Sequence, residues 1–430
     1  MNSIKEKELS KTLQVKFYKY IKKCIKGFSI PEQKFIKKTT FGIISGKTCI
    51  VRQISQTLKE DISLKKTCKR LSYHLNKEDF DSSLLENLLQ AQCRNITKES
   101  IIIPDPSDIM KKYAEKMEGM SNVRDGSENK WVKGYDLLDF IAVNENPDNE
   151  LTIEPLVSDL YSNDTEYETL KTKFFNRIND IQVYSNNKGI YRAYDDKKVM
   201  AYLYGNEAGF IIRCGKKRDL YYKGQKMSFV DVAKEADMKY EFSGCKKNEK
   251  IIAGLLSVEV PIDPHPRKKH TLIPLNLIVA RYKVNDELKG FFYLFSSFPH
   301  FNLSEEEIIQ KSLHYYKIRW KVEEVHRQVK SDFKWESIQV MTYQRLKTLN
   351  ALLWIAIGFL YKMESMKWIF ASTFSYFMLD NKTKLKELSK FIYYRIANVI
   401  SYCFQFMKKY EKIVFRKKPI PNIQLEFQFI

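Results

Sequence analysis

Tyr316, Arg319, Glu323 and Lys330 follow one another at intervals of three, four and seven in the run Tyr-Lys-Ile-Arg-Trp-Lys-Val-Glu-Glu-Val-His-Arg-Gln-Val-Lys. With about 3.6 residues per turn, these positions share one stripe of a helix, so the spacing predicts a single helix carrying an acid between two cations and a phenol. Such a stripe suits a phosphate diester. Glu323 would ligate a divalent metal, Arg319 and Lys330 would hold phosphate oxygens, and Tyr316 would donate a hydrogen bond. Opposite charges three or four apart also stabilise an ordinary solvated helix face. Residue type and spacing together favour the phosphate reading, which then requires further acids from distant parts of the chain.

Charge points the same way. The net charge of +21 is unevenly spread: residues 1–100 hold 21 Lys and Arg against 10 Asp and Glu, residues 301–430 hold 22 against 12, and the middle is balanced at 30 against 30. Basic flanks around a neutral centre fit DNA, because Lys and Arg supply the sequence-independent, salt-sensitive part of its binding. The cysteines at 24, 49, 68, 93, 214, 245 and 403 are scattered, with no Cys-x-x-Cys pair, which predicts free thiols and no structural zinc. The first residues lack an apolar signal core, and the most apolar stretch, Leu349 to Tyr361, is short for a bilayer span. A soluble, cytoplasmic protein without a membrane partner is expected.

Periodicity divides the chain into a helical start, a strand-rich middle and a helical end. Leu13 to Ile25 is periodic and lysine-rich, Phe41 to Ile54 is apolar, and Leu64 to Leu75 crowds Lys65, Lys66, Lys69 and Arg70 onto one side of a helix. From residue 100 the pattern changes to strands. Ile101–Ile103 is continuous and apolar as a central strand should be, and Lys130 to Val143 and Leu151 to Leu160 supply two more. Glu166 to Ile178 reads as helix and Asp180–Tyr184 as a strand ending at Asn187. Between Phe210 and Phe295 five segments alternate as strands, with a basic loop tip at Arg267, Lys268 and Lys269. Leu346–Phe370 reads as a long apolar helix, followed by basic, aromatic helices from Lys382 to Tyr410.

The Tyr-Arg-Glu-Lys stripe resembles the signature of the DDE transposases of bacterial insertion sequences, in the branch that cuts and pastes through hairpin ends. Ile101–Ile103 leading through Pro104 to Asp105 is similar to that family's first strand and first acid, and Val183 to Tyr191 is similar to its Asp-Arg-Gly-Tyr turn. Here Asn187 stands where the second acid belongs, and Lys188 where the Arg belongs.

The resemblance implies an RNase H-like mixed α/β sheet core with a β-strand insertion, a helical N-terminal DNA-binding domain and a helical C-terminal region. The implied boundaries are 1–97 for the DNA-binding helices, 98–210 and 300–346 for the two parts of the core, 211–299 for the insertion, and 347–430 for a C-terminal region with dimer contacts. It also implies a site of Asp105, Asn187 and Glu323 around Mg²⁺, with Mn²⁺ as substitute, and Tyr316, Arg319 and Lys330 on the phosphates. Lys65, Lys66, Lys69, Arg70, Arg267, Lys268 and Lys269 become DNA contacts, and a ring within Phe291–Phe295 a platform for an unstacked base. The implied partners are double-stranded DNA, as transposon ends and target, and a second copy of the chain.

An amide at position 187 brings no charge to a two-metal site, so strand cleavage is expected to be weakened. Asp108, Asp195 and Asp196 stand near enough in sequence to substitute. The alternative is a transposase-derived protein that binds DNA without cutting it.

Overall fold

The computed structural model describes residues 2–125, 128–165, 168–244, 248–262, 271–377 and 392–405. Five helices open the chain: α1 (Asn2–Cys24), α2 (Ile30–Gly46), α3 (Val51–Leu58), α4 (Leu64–Leu75) and α5 (Phe80–Cys93). Leu13, Phe17, Ile21 and Cys24 recur at helical spacing and are fully buried, which is what holds α1 against its neighbours. The start of α2 is set locally by Pro31 and by a capping box in which Ser29 and Glu32 satisfy each other's backbone amides.

The strands β1 (Ile101–Met110), β2 (Ser121–Asp125), β3 (Lys130–Glu145) and β4 (Leu151–Tyr161) lead into α6 (Leu170–Ser185), β5 (Ile190–Ala193), α7 (Lys197–Gly205) and β6 (Gly209–Arg213). After them come β7 (Asp219–Tyr222), β8 (Gln225–Ser228), α8 (Phe229–Lys234), β9 (Tyr240–Ser243), β10 (Glu249–Pro261), β11 (Leu272–Val284) and β12 (Glu287–Ser297). All belong to one 12-stranded sheet in the order β2-β3-β1-β5-β6-β12-β11-β10-β7-β8, with β4 added to β3 and β9 to β10. β5 runs parallel to β1 and to β6; every other pairing is antiparallel. The protein is therefore mixed α/β. The later strands are not a separate sheet, because β12 pairs with β6 through Leu294↔Arg213 to Ser297↔Phe210 and extends the central strands without a break.

Residues 180–184 are helical, not a strand. Phe174, Ile178 and Ile181 are the buried face of α6, and Thr169 caps its first turn by accepting from the Thr172 amide. Arg177 adds an ion pair to Asp180 one turn on, so the β-branched and aromatic residues near 183 are overridden by packing.

The chain ends with α9 (Glu305–Ile318), α10 (Trp320–Arg327), α11 (Tyr343–Lys362), α12 (Lys367–Phe377) and α13 (Ile392–Gln405). The first and last helices share one core: the Phe17 ring lies 5.2 Å from that of Phe359, and Phe41 stacks on Phe404 at 4.6 Å. Gly358 is needed at this contact, since a Cβ there would come within 2.3 Å of the Tyr20 hydroxyl. On the other side of α11, Asn350 donates to the Ser158 carbonyl of β4 at 2.9 Å. The run Tyr343–Thr373 is long and apolar enough to cross a bilayer, but its most apolar window is 89% buried inside the protein.

Candidate active site

β1 lies between β3 and β5, and its first residues are fully enclosed by them. Asp105 comes next, part-way along the strand and partly exposed, and it faces Asp139 of β3 directly across the antiparallel ladder. Opposed residues in such a pair share a face with their Cβ atoms about 5 Å apart. α10 crosses that face and sets His326 between the two acids, with Nε2 2.9 Å from Asp139 Oδ2 and Nδ1 3.8 Å from Asp105 Oδ2.

Two tethers from Arg319 complete the group. Its Nη2 donates to Asp105 Oδ1 at 2.9 Å and its Nη1 to Glu323 Oε1 at 3.4 Å, so a guanidinium joins carboxylates from β1 and α10. Burial pushes the Asp105 carboxyl up, and although Arg319 and His326 oppose it, the net direction is upward. Burial works against the His326 cation, but the carboxylates of Asp139 and Asp105 outweigh it and hold the imidazole above its ordinary value. One imidazole and one guanidinium thus make tolerable a cluster of acids that would otherwise repel one another.

The predicted single helix is in fact two, meeting at Arg319, followed by a π-helical turn at Gln328–Asp332. Val322 donates to the Arg319 carbonyl at 3.1 Å, a tight three-residue link that carries the chain from α9 into α10. Arg319 and Glu323 still meet at Asp105. The Tyr316 ring stacks on Phe292, with centroids 5.8 Å apart, and lies 5.0 Å from the Arg192 guanidinium. Lys330 is carried by the π turn towards Asp108 at 3.9 Å and Glu336 at 4.0 Å, so it joins a neighbouring acidic pair instead of the Asp105 group. π turns of this kind are often found at functional sites.

Asn187 does not join Asp105 and Glu323. β5 pairs in parallel with β1 through Ile101↔Ile190, so residue 187 lies before the start of β1 while Asp105 lies four residues beyond it. That separation is at least about 13 Å along the strand. The Asn187 side-chain amide donates instead to the Ile96 carbonyl at 3.1 Å and the Ser185 carbonyl at 3.0 Å, closing the turn out of α6. Lys188 pairs with Glu207 at 2.6 Å on the surface.

β5 ends at Ala193, and Asp195 and Asp196 follow it at the end of the strand away from Asn187. Asp196 is committed to local structure: it caps α7 by accepting from the Lys198 and Val199 amides at 2.8 and 3.1 Å, and it pairs with Lys171 at 2.6 Å. Asp195 accepts from the Gly215 amide at 2.8 Å and pairs with Arg218.

Lys65, Lys66 and Lys69 stand exposed on α4. Arg70 is turned inward by the Glu60 carboxylate at 2.6 Å, an acid that also receives Lys38 at 2.7 Å, and so serves the packing of the helices. Arg267, Lys268 and Lys269 lie outside the described residues. Of the aromatic run on β12, Phe292, Tyr293 and Phe295 are buried, whereas Phe291 is 44% exposed with the Arg281 guanidinium 4.5 Å from its ring centre.

Two members of the cluster, Asp139 and Arg192, escaped the pattern of spacing. Each is a charged residue inside an otherwise apolar strand, in Leu-Leu-Asp-Phe-Ile and Ile-Tyr-Arg-Ala, and each is nearly inaccessible to solvent. That interruption is itself legible, because buried charges need partners and so mark sites.

Asp105 and Glu323 are hard oxygen donors of the kind Mg²⁺ prefers, and the Arg319 cation between them shows that the pair calls for positive charge. Among the described residues no three His, Cys, Asp or Glu side chains converge as a metal-binding group. The donor set therefore fits a cation at the Asp105–Glu323 pair only with Arg319 displaced.

No family model matches the sequence, and no curated protein sequence does. Among solved structures the chain is similar to a piggyBac transposase synaptic complex with hairpin DNA, with a TM-score of 0.39 and 8% identity, over 89% of this chain and 75% of that one. A likeness of that size decides neither fold nor function.

Proposed function

We propose that this protein is a DNA transposase of the DDE type, acting on the phosphodiester backbone of transposon ends with Mg²⁺ held by Asp105 and Glu323. The observation that carries this reading is the meeting of two acids more than two hundred residues apart on one guanidinium, inside the Tyr-Arg-Glu stripe. The mixed sheet, with β5 and β6 parallel to β1 and the stripe-bearing helices across its face, supports an RNase H-like core.

Asp195, not Asn187, is the residue we assign as the third acid. It follows β5 at the end away from Asn187 and, unlike Asp196, caps no helix. The metal would supply charge neutralisation and activation of the attacking oxygen. The chain's own residues do the remainder: Arg319 neutralises the acids until DNA arrives and then turns to a phosphate oxygen, Tyr316 donates to another, and His326 with Asp139 keeps the Asp105 carboxylate aimed across the sheet. Phe291, exposed beside Arg281, offers the platform for an unstacked base. The basic α4 face contributes backbone contacts, and a second copy of the chain completes a synaptic pair.

The test is incubation of the full chain with DNA carrying its own element's ends and Mg²⁺ or Mn²⁺. Strand cleavage in the native protein, abolished by Glu323→Gln, supports the reading. Binding to those ends without cleavage under any metal supports instead a transposase-derived DNA-binding protein.

A further inference from the structure

A cavity of about 460 Å³ lies on the sheet where β7, β10, β11 and the end of β12 run side by side, a size that suits a small molecule. Its floor follows from strand register. Ser257 of β10 stands opposite Asn276 of β11, and Asn276 opposite Ser296 of β12, so three small polar side chains form a row across three strands on one face. Two residues further along β10, and therefore on that same face, Glu259 stands between Tyr221 of β7 and Pro274 of β11. Phe298 closes one side, and Lys223 stands at the rim in the turn between β7 and β8. Four strand spacings, about 19 Å, separate β11 from β1, so this cavity is distinct from the Asp105 group.

The polar groups of this floor are unspent. Among the described residues the side chains of Ser257, Asn276, Glu259 and Tyr221 make no hydrogen bond or ion pair, and the Ser296 Oγ, although fully buried, has no partner. Water satisfies an exposed hydroxyl, but a buried one left without a partner marks a place where something is to be received. The mixture of groups selects the ligand. Glu259 only accepts and Lys223 only donates, whereas serine, asparagine and tyrosine do both. Groups that donate and accept at closely spaced points are the hydroxyls of a sugar ring, whose C–H face would lie against Phe298 and Pro274. The Glu259 carboxylate in the floor opposes an anion. We propose that the cavity binds a neutral polyhydroxylated ring, a monosaccharide or the ribose of a nucleoside, with Glu259 accepting from its hydroxyls and Asn276 and Ser296 bonding to others. The site stands independently of the reading given under Proposed function.

Saturation-transfer NMR on the full chain, with D-glucose, D-ribose, adenosine and adenine as probes, reads the site without DNA or cleavage. Ring hydrogens of glucose or of ribose should receive saturation from the native protein. Glu259→Ala and Asn276→Ala, at positions outside the buried core, should each raise the dissociation constant by about tenfold with the thermal midpoint unchanged. Ser296→Ala removes a hydroxyl that the fold does not use, so it should weaken binding and leave the midpoint in place. A response to ribose and adenosine without glucose assigns a nucleoside, and one to glucose without ribose assigns a monosaccharide. Adenine bound as tightly as adenosine overturns the hydroxyl chemistry in favour of a base. No transfer to any probe, or equal binding in Glu259→Ala and Asn276→Ala as in the native chain, overturns the site.

Discussion

The two ends of the β1–β5 pair are built from different chemistry. At the end where β1 emerges, Asp105, Asp139, Glu323, Arg319, His326 and Arg192 gather charge, and Asp139, His326 and Arg192 are buried. At the end where it begins, Asn187 donates to two carbonyls, the Ser100 hydroxyl donates to Asn144 Oδ1 at 2.5 Å, and Asn144 donates to the Asn95 carbonyl at 3.3 Å. Amides and hydroxyls suffice where backbone groups need partners. Burying carboxylates and cations for structure alone gains little, so the charged end stands apart from the other.

The sharpest way to break this contrast is to neutralise one acid at the charged end. Asp105→Asn, Glu323→Gln and Asp195→Asn should each lower metal-dependent DNA cleavage by about 10³-fold or more while leaving circular dichroism unchanged. Retained cleavage in Asp195→Asn would remove that residue from the site.

Next in size is the imidazole. His326→Leu leaves Asp139 buried without its partner and should cost about 3–5 kcal/mol in denaturant unfolding, part of which His326→Leu combined with Asp139→Leu recovers. A single-variant cost under about 1 kcal/mol would mean that water, not His326, satisfies Asp139.

At the Asn187 end, Asn187→Asp replaces a donor by an acceptor facing two carbonyls. A loss of about 1–3 kcal/mol is expected, with no gain in cleavage. Increased cleavage in this variant would make the two ends chemically alike and overturn the assignment of Asp195.

A further effect is a pH dependence at the charged end only. Lys111, just past β1, donates to the carbonyls of Glu336 and Ile338 at 2.7 and 2.9 Å, and burial pulls it down to about 8 from an ordinary 10.5. Between those values the unfolded chain holds a proton that the folded one releases, so stability should rise with pH across that window. Lys111→Met should flatten the rise, and Asn187→Ala should leave it in place.

Much of the framework could be read before the structure. The buried run before Asp105, the long strands on either side of residue 147 and the alternating segments after 249 all carry period-two or continuous apolar patterns, and all are strands. Local reading failed where packing overrode propensity. Val183 and Tyr184 look like strand residues but close α6, and the even stripe from Tyr316 to Lys330 is bent at Arg319 and widened by a π turn. The loop holding Arg267 to Lys269 lies outside the described residues. The basic ends, apparently separate in sequence, share a core through Phe17, Phe41, Phe359 and Phe404, since rings far apart in the chain leave no local trace of their pairing.

By itself the sequence determined most of the strands and the stripe Tyr316-Arg319-Glu323, because helical and strand periodicities act over a few residues and are written there directly. Which acids meet was decided only by the tertiary structure. A parallel register between β1 and β5 keeps Asn187 away from Asp105, and a cross-strand pairing brings Asp139 opposite Asp105. Register is set by the burial of whole strand faces across the sheet, a sum over many distant side chains that no short motif contains.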